Sequence, residues 1–225
     1  MILLAGVGRF IWEPATDVER RSPSADTGGL LPFPWARMLA LCGLTVVASI
    51  MFYSILTQNG NALATLGVHD PSRVGLLTMI ASFGVPIGTF GYWFASRLRI
   101  GWLLFVNFGL IGIGFLGMGH ANAPTDYVAF AFINQIGCGL VLPTMLVWTT
   151  RDLPFEIRGR GNGMWQGAFA IGQFASGMAL QLLGDRFGGL LPAFSMLSVV
   201  CFAVAAIAFL SASIGGRGAA AVTAH

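Results

Sequence analysis

The sequence contains no lysine, and residues of either charge make up only 9% of its 225 positions. A soluble domain carries roughly 25%, so an ordinary solvated surface is excluded. Cysteine is scarce as well. Cys42, Cys138 and Cys201 each fall inside an apolar run, with no CxxC pair and no Cys/His cluster. They read as small buried hydrophobes rather than as a disulfide framework or zinc site. His69, His120 and His225 are scattered, so no metal site is expected. There is no G-x-S-x-G elbow, no HExxH pair and no Walker A lysine. Gly159-Arg160-Gly161-Asn162-Gly163 follows no strand and fails the GxGxxG spacing at Met164. The apolar runs also lack the paired aspartates or Ser/His pair of an intramembrane protease. These absences argue against an enzyme, and no cofactor is expected. The twelve basic residues are all arginine and give a net charge of +3. None forms a basic run interleaved with aromatics, which argues against a nucleic-acid partner.

Long apolar runs fill the rest. The chain is 56% hydrophobic with a mean hydropathy of +0.77. An α-helix of about twenty apolar residues crosses a bilayer. The sequence therefore predicts an all-α integral membrane protein with six transmembrane helices, at about 36–58, 74–96, 100–120, 128–150, 161–183 and 190–212. Together they make a six-helix domain over residues 36–213 whose first partner is the lipid bilayer. Residues 1–35 read as a linker, with Pro14, Pro23, Pro32 and Pro34 among Asp17, Glu19, Arg20, Arg21 and Asp26. Met1–Val7 is apolar but too short to span, and without a basic n-region it is a poor signal peptide. Residues 214–225 read as a short flexible tail.

Arginine placement orients the spans. With the N-terminus cytoplasmic, Arg9, Arg20, Arg21, Arg37, Arg97, Arg99, Arg151, Arg158, Arg160 and Arg217 fall inside, and only Arg73 and Arg186 fall outside. The positive-inside rule then puts both termini in the cytoplasm.

No charged residue or histidine lies deep in any span, so the chain offers no intramembrane proton relay of its own. Uncharged polar groups remain. Thr45, Ser49, Tyr53 and Thr57 recur every four residues in the first span and share a helical face, with Gln58 and Asn59 at its outer end. The fourth span carries Asn134 and Gln135. The fifth carries Gln166, Phe169, Gln173 and Ser176 along one face. These groups either wall a substrate cavity or hydrogen-bond between helices. The pairs Gly84/Gly88 and Gly163/Gly167, with the glycines of the third span, predict close helix packing.

The stretch from Leu153-Pro154-Phe155-Glu156-Ile157-Arg158-Gly159-Arg160-Gly161-Asn162-Gly163 through Met164-Trp165-Gln166-Gly167 to Gly172-Gln173-Phe174 resembles a loop and helix of the major facilitator superfamily. In many exporters of that superfamily the tenth and eleventh helices are joined by Pro, a few residues and Arg-Gly-Arg, followed by a small-residue helix with Gly-Gln-Phe. Leu66 to Gly75 is similar to the outer loop between the seventh and eighth helices. Gly91 through Arg97-Leu98-Arg99 resembles the cytoplasmic loop motif of each half, although Ala95 stands where the family has an aspartate. The resemblance covers residues 36–213 and implies the C-terminal half of a twelve-helix secondary transporter. Residues 1–35 would then be the central linker, with a remnant of a preceding helix at Met1–Val7. It further implies that Tyr53, Gln58, Asn59, Asn134, Gln135, Trp165, Gln166 and Gln173 line a cavity for a small-molecule solute. Gly91, Arg97, Arg99, Arg158 and Arg160 would be loop and gating residues. A working transporter of this kind needs a second six-helix half, from another copy or a separate chain. The alternative expectation is a truncated product or a membrane interaction subunit that transports nothing. The implied location is a plasma membrane, the inner membrane of a bacterium, with export as the direction.

Overall fold

The computed structural model describes residues 33–151 and 153–222, with side chains up to Ser213. The linker reading of residues 1–32 lies outside the described residues. Seven helices follow in order: α1 Trp35–Thr65, α2 Pro71–Ser82, α3 Gly84–Ala95, α4 Ile100–Gly119, α5 Pro124–Thr150, α6 Phe155–Phe187 and α7 Leu190–Val222. No strand occurs among the described residues. Helices α2 and α3 form one segment, so the seven helices make six helical segments.

Five segments are long and apolar enough to cross a membrane: Trp35–Thr65, Pro71–Ala95, Ile100–Gly119, Pro124–Thr150 and Leu190–Ser213. The sixth, α6, is longer than any of these but less apolar, because Gln166, Gln173 and Gln181 interrupt it. A glutamine-bearing helix in a bilayer needs protein or water beside its polar groups.

The helix ends follow from local chemistry. Helix α1 runs past the expected 58 to Thr65, since Gln58, Asn59 and Asn61 are held within it. Asn61 Nδ2 donates to Gln58 Oε1 at 2.7 Å, and Asn59 Nδ2 donates to Thr78 Oγ1 at 3.1 Å. The helix stops in a Schellman motif, with Val68 N–H on Leu63 O and Gly67 N–H on Ala64 O, both at 3.0 Å. Gly67 takes φ 82°, a left-handed value that suits glycine. Helix α2 starts on Asp70, whose carboxylate accepts from the Ser72 and Arg73 amides, with Pro71 in the first position. Helix α7 continues to Val222 where a flexible tail is expected; Ala219, Ala220 and Ala221 are the strongest helix formers.

The two span prolines behave differently. Pro86 has no amide to offer, and its ring crowds the carbonyl of Ser82. The α2–α3 segment breaks just there, at Phe83. Pro143 stays inside α5. It frees the carbonyl of Gly139, which accepts the Thr89 hydroxyl of α3 at 3.2 Å.

Packing is pairwise around α5. Helix α1 runs along α6, α4 along both α5 and α7, and α5 along α2 and α3. Small residues set the crossings. A Cβ on Gly84 would come within 2.5 Å of the Phe132 carbonyl oxygen, and one on Gly101 within 2.7 Å of Ala212 Cβ. A Cβ on Gly114 would overlap the backbone and Cβ of Asn134. The core between the helices holds Phe108, Ile111, Phe115, Tyr127, Met145 and Phe194. The Gly163/Gly167 pair departs from the packing expectation. Nothing lies within 4 Å of a Cβ at either, because both fall on the outer face of α6.

Candidate functional site

Helix α6 has two faces. Gly161, Trp165, Ala168, Gly172, Ser176 and Leu180 recur every three or four residues and are buried. Against them lies α1. Ser49 Oγ donates to Phe169 O at 2.6 Å, and a Cβ on Gly172 would lie 2.6 Å from Ser49 Cβ. Two members of the first-span stripe are thereby absorbed in packing, since the Thr45 hydroxyl also bonds within its own helix, to Leu41 O at 2.8 Å. The other face of α6 is exposed. It carries Asn162, Gln166, Gln173 and Gln181 beside Gly163 and Gly167, with Phe174 86% exposed next to them. The predicted fifth-span stripe is thus divided: Gln166 and Gln173 face outward, whereas Ser176 is buried.

Tyr53 and Trp165 meet across the α1–α6 seam through Phe169. The Tyr53 and Phe169 rings are edge to face at 5.6 Å, and Trp165 stacks on Phe169 at 5.6 Å. Trp165 is 6% exposed and its indole N–H has no hydrogen-bond partner. This half-buried aromatic shelf lies at the edge of the glutamine face.

The polar residues of α5 point elsewhere. Asn134 is fully buried against α4, its Nδ2 donating to Ile111 O at 3.0 Å and its Oδ1 accepting from Cys138 Sγ at 3.4 Å. That is an interhelical tie, not a cavity wall. Gln135 turns toward α3, where a Cβ on Gly84 would lie 2.8 Å from its own Cβ. It is 2% exposed, and its Oε1 has no partner. Gln58 lies apart from all of these, with Asn61 and Gln181, in a cavity of about 650 Å³ where α1 and α6 end. Asn59 is buried on Thr78 and keeps an unpartnered Oδ1. The eight cavity candidates therefore do not converge. Tyr53, Trp165, Gln166 and Gln173 belong to the α1–α6 side, Gln135 to the α3–α5 crossing, Gln58 and Asn59 to one end, and Asn134 to the core.

Sequence reading missed one buried polar pair. Asn107 Nδ2 on α4 donates to Thr144 Oγ1 on α5 at 3.1 Å, leaving Asn107 Oδ1 without a partner. A single asparagine in an apolar run gives no periodic signal.

The two ends of the bundle differ. At the end where α1, α4 and α6 begin stand Arg37, Arg97, Arg99, Arg151, Arg158 and Arg160, with Glu156. At the other stand Arg73 and Arg186 with Asp70, Asp126 and Asp185. The gating candidates are all at the basic end. Arg158 Nε donates to Leu153 O at 3.0 Å and ties the loop before α6. Arg160 lies 4.6 Å over the Trp35 ring. Gly91 has room beside Leu140, and Arg97 is exposed in the short turn before α4. Among the described residues no group of three His, Cys, Asp or Glu side chains comes together.

No family model matches the chain, and no curated protein matches it. Fold and site define an all-helical protein of the integral-membrane class, with five or six helices long and apolar enough to span a bilayer.

Proposed function

We propose that this chain is a six-helix transporter half of the major facilitator type. It exports a small uncharged or amphipathic solute once a second six-helix bundle closes its cavity. The observation that carries the reading is the outer face of α6, where Gln166 and Gln173 stand exposed on a helix otherwise built for a membrane. Glutamine on a lipid face is unfavourable, and this face has the glycines that allow a close neighbour. The helix pairing supports the same reading. Span one runs along span five, span four along span two, and span three along span six. Exchanging the first three spans with the last three maps these pairings onto one another, as in an inverted three-plus-three repeat, although the packing of span three along span four has no counterpart of like extent between spans six and one. Between Asn162 and Gln181 this face carries no charged side chain, which fits a neutral solute.

Efflux of an uncharged fluorescent dye from cells making the chain, alone or as a tandem fusion of two copies, tests the proposal. Gln173→Leu is expected to reduce efflux roughly ten-fold, about one hydrogen bond to the solute, at unchanged membrane abundance. Equal efflux by the variant would sink the cavity assignment. Efflux by neither form would favour the interaction-subunit reading.

The basic end is expected to be cytoplasmic. In a Cys42→Ser background, an impermeant maleimide on intact cells should label Asn122→Cys. Ser96→Cys should react only after permeabilisation. Cys138 and Cys201 are fully buried and stay silent. The reverse pattern would invert the topology.

A further inference from the structure

A second cavity, of about 590 Å³, opens at the basic end between the ends of α3, α4, α5 and α7. Arg99 and Arg151 line it from different helices. Among the described residues neither guanidinium makes an ion pair or a hydrogen bond, and no acidic side chain lines the cavity. Arg99 and Arg151 are both exposed, and two cations lining one space give it a positive potential that favours an anion. The start of α4 adds to this field. Ile100 and Gly101 line the cavity, their amides have no intrahelical acceptor, and Arg99 at the cap position supplies no side-chain bond. Tyr92 and Trp148, each with one side-chain donor, also line the cavity.

The surroundings define what carries the anion. Leu98, Leu103, Val147 and Ala212 give the lining an apolar part, beside the hydroxyl-bearing Ser96, Thr144 and Ser211. Adjoining the lining residues Gly101 and Leu103 in the chain, Trp102 meets Phe105 of α4 and Phe209 of α7 in an exposed cluster with ring centroids 5.4–5.9 Å apart. Tryptophan, with its polar N–H on an apolar ring, sits at the headgroup level of a bilayer. A donor-rich basic cavity opening onto an apolar aromatic surface matches a phosphate with acyl chains attached better than a free phosphate.

We infer that this cavity binds an anionic phospholipid, with Arg99, Arg151 and the α4 amides on its phosphate and the acyl chains along Trp102, Phe105 and Phe209. The inference rests on the membrane-spanning reading of the helices and is independent of transport.

Native mass spectrometry of the full chain, released from membranes into detergent, measures binding of phosphatidylglycerol against phosphatidylcholine. Preference for phosphatidylglycerol is expected. Arg99→Gln/Arg151→Gln should weaken its binding roughly thirty-fold, about five-fold per arginine near a lipid headgroup. Arg73→Gln/Arg186→Gln at the other end should leave it unchanged, and Arg99→Lys/Arg151→Lys should stay within a few-fold. An undiminished preference in the double glutamine variant overturns the inference, and so does equal loss in the lysine variant, which would mean that fold rather than charge is being read. Displacement by millimolar inorganic phosphate overturns the lipid assignment in favour of a free anion. Release of the chain from membranes by alkaline carbonate would instead remove the membrane reading beneath it.

Discussion

Gly88→Val is expected to remove most of the folded protein from the membrane. A Cβ at this position would overlap the Ile136 carbonyl oxygen and lie 3.1 Å from Gly139 Cα. These are backbone atoms of α5, and they cannot turn aside as a side chain end can. Gly139 faces the same crossing from the other side, where its own Cβ would overlap the Val85 carbonyl oxygen. Separating the helices would also break the Thr89 bond to the carbonyl that Pro143 frees. Overpacking of this kind costs about 3 kcal/mol, a large share of the stability of a typical domain. The folded fraction after detergent extraction, followed by gel filtration and by Tm, reads the effect. Gly91→Ala is the internal control, since the nearest atom to its Cβ is Leu140 Cδ2 at 3.9 Å. Equal melting of Gly88→Val and wild type would mean that α3 and α5 do not cross this closely.

Gln135→Leu is expected to do the opposite to stability and still to abolish transport. Gln135 is 2% exposed, and no donor reaches its Oε1. Leaving a buried acceptor unsatisfied costs about 1–3 kcal/mol. Leucine carries no acceptor to leave unsatisfied and so removes that penalty, and Tm should rise by several degrees. A residue kept at such a penalty, at the crossing beside the α2–α3 break, is expected to bond to solute or water in a state other than this one. Dye efflux should fall at least ten-fold while the protein melts later. Unchanged efflux with a raised Tm would make Gln135 a buried polar residue without a part in transport. A lowered Tm would mean that its amide is satisfied after all.

Hydropathy made the helical passes legible, because a spanning segment must satisfy its backbone within itself and so must be long and apolar. The same signal misjudged ends. It stopped α1 at 58, where the side chains turn polar, although Asn59 and Asn61 find partners and the helix runs on to the Gly67 turn. Pro86 and Pro143 look alike in sequence. The one in α5 frees a carbonyl that lies within reach of Thr89 on the neighbouring helix, a contact that the sequence does not display. Periodicity grouped Ser176 with Gln166 and Gln173, but it could not tell which flank of that group α1 would cover. The Gly163/Gly167 spacing matched that of Gly84/Gly88, yet only the latter meets a helix. Asn134 reads as a candidate cavity residue until Gly114 brings the Ile111 carbonyl to it. The Arg99/Arg151 cavity and the Asn107–Thr144 pair depend on contacts between distant helices, which no local pattern carries.

The tryptophans are distributed as unevenly as the arginines. Trp35, Trp93, Trp102 and Trp148 stand in the first or last turns of their helices at the basic end, and Trp165 lies in the half of α6 nearer that end. The indole emission of the described chain therefore originates from one side of the bundle. In a bilayer it reports the polarity and packing of a single leaflet and is blind to the other, so a change in lipid composition registers only when it occurs on the arginine side.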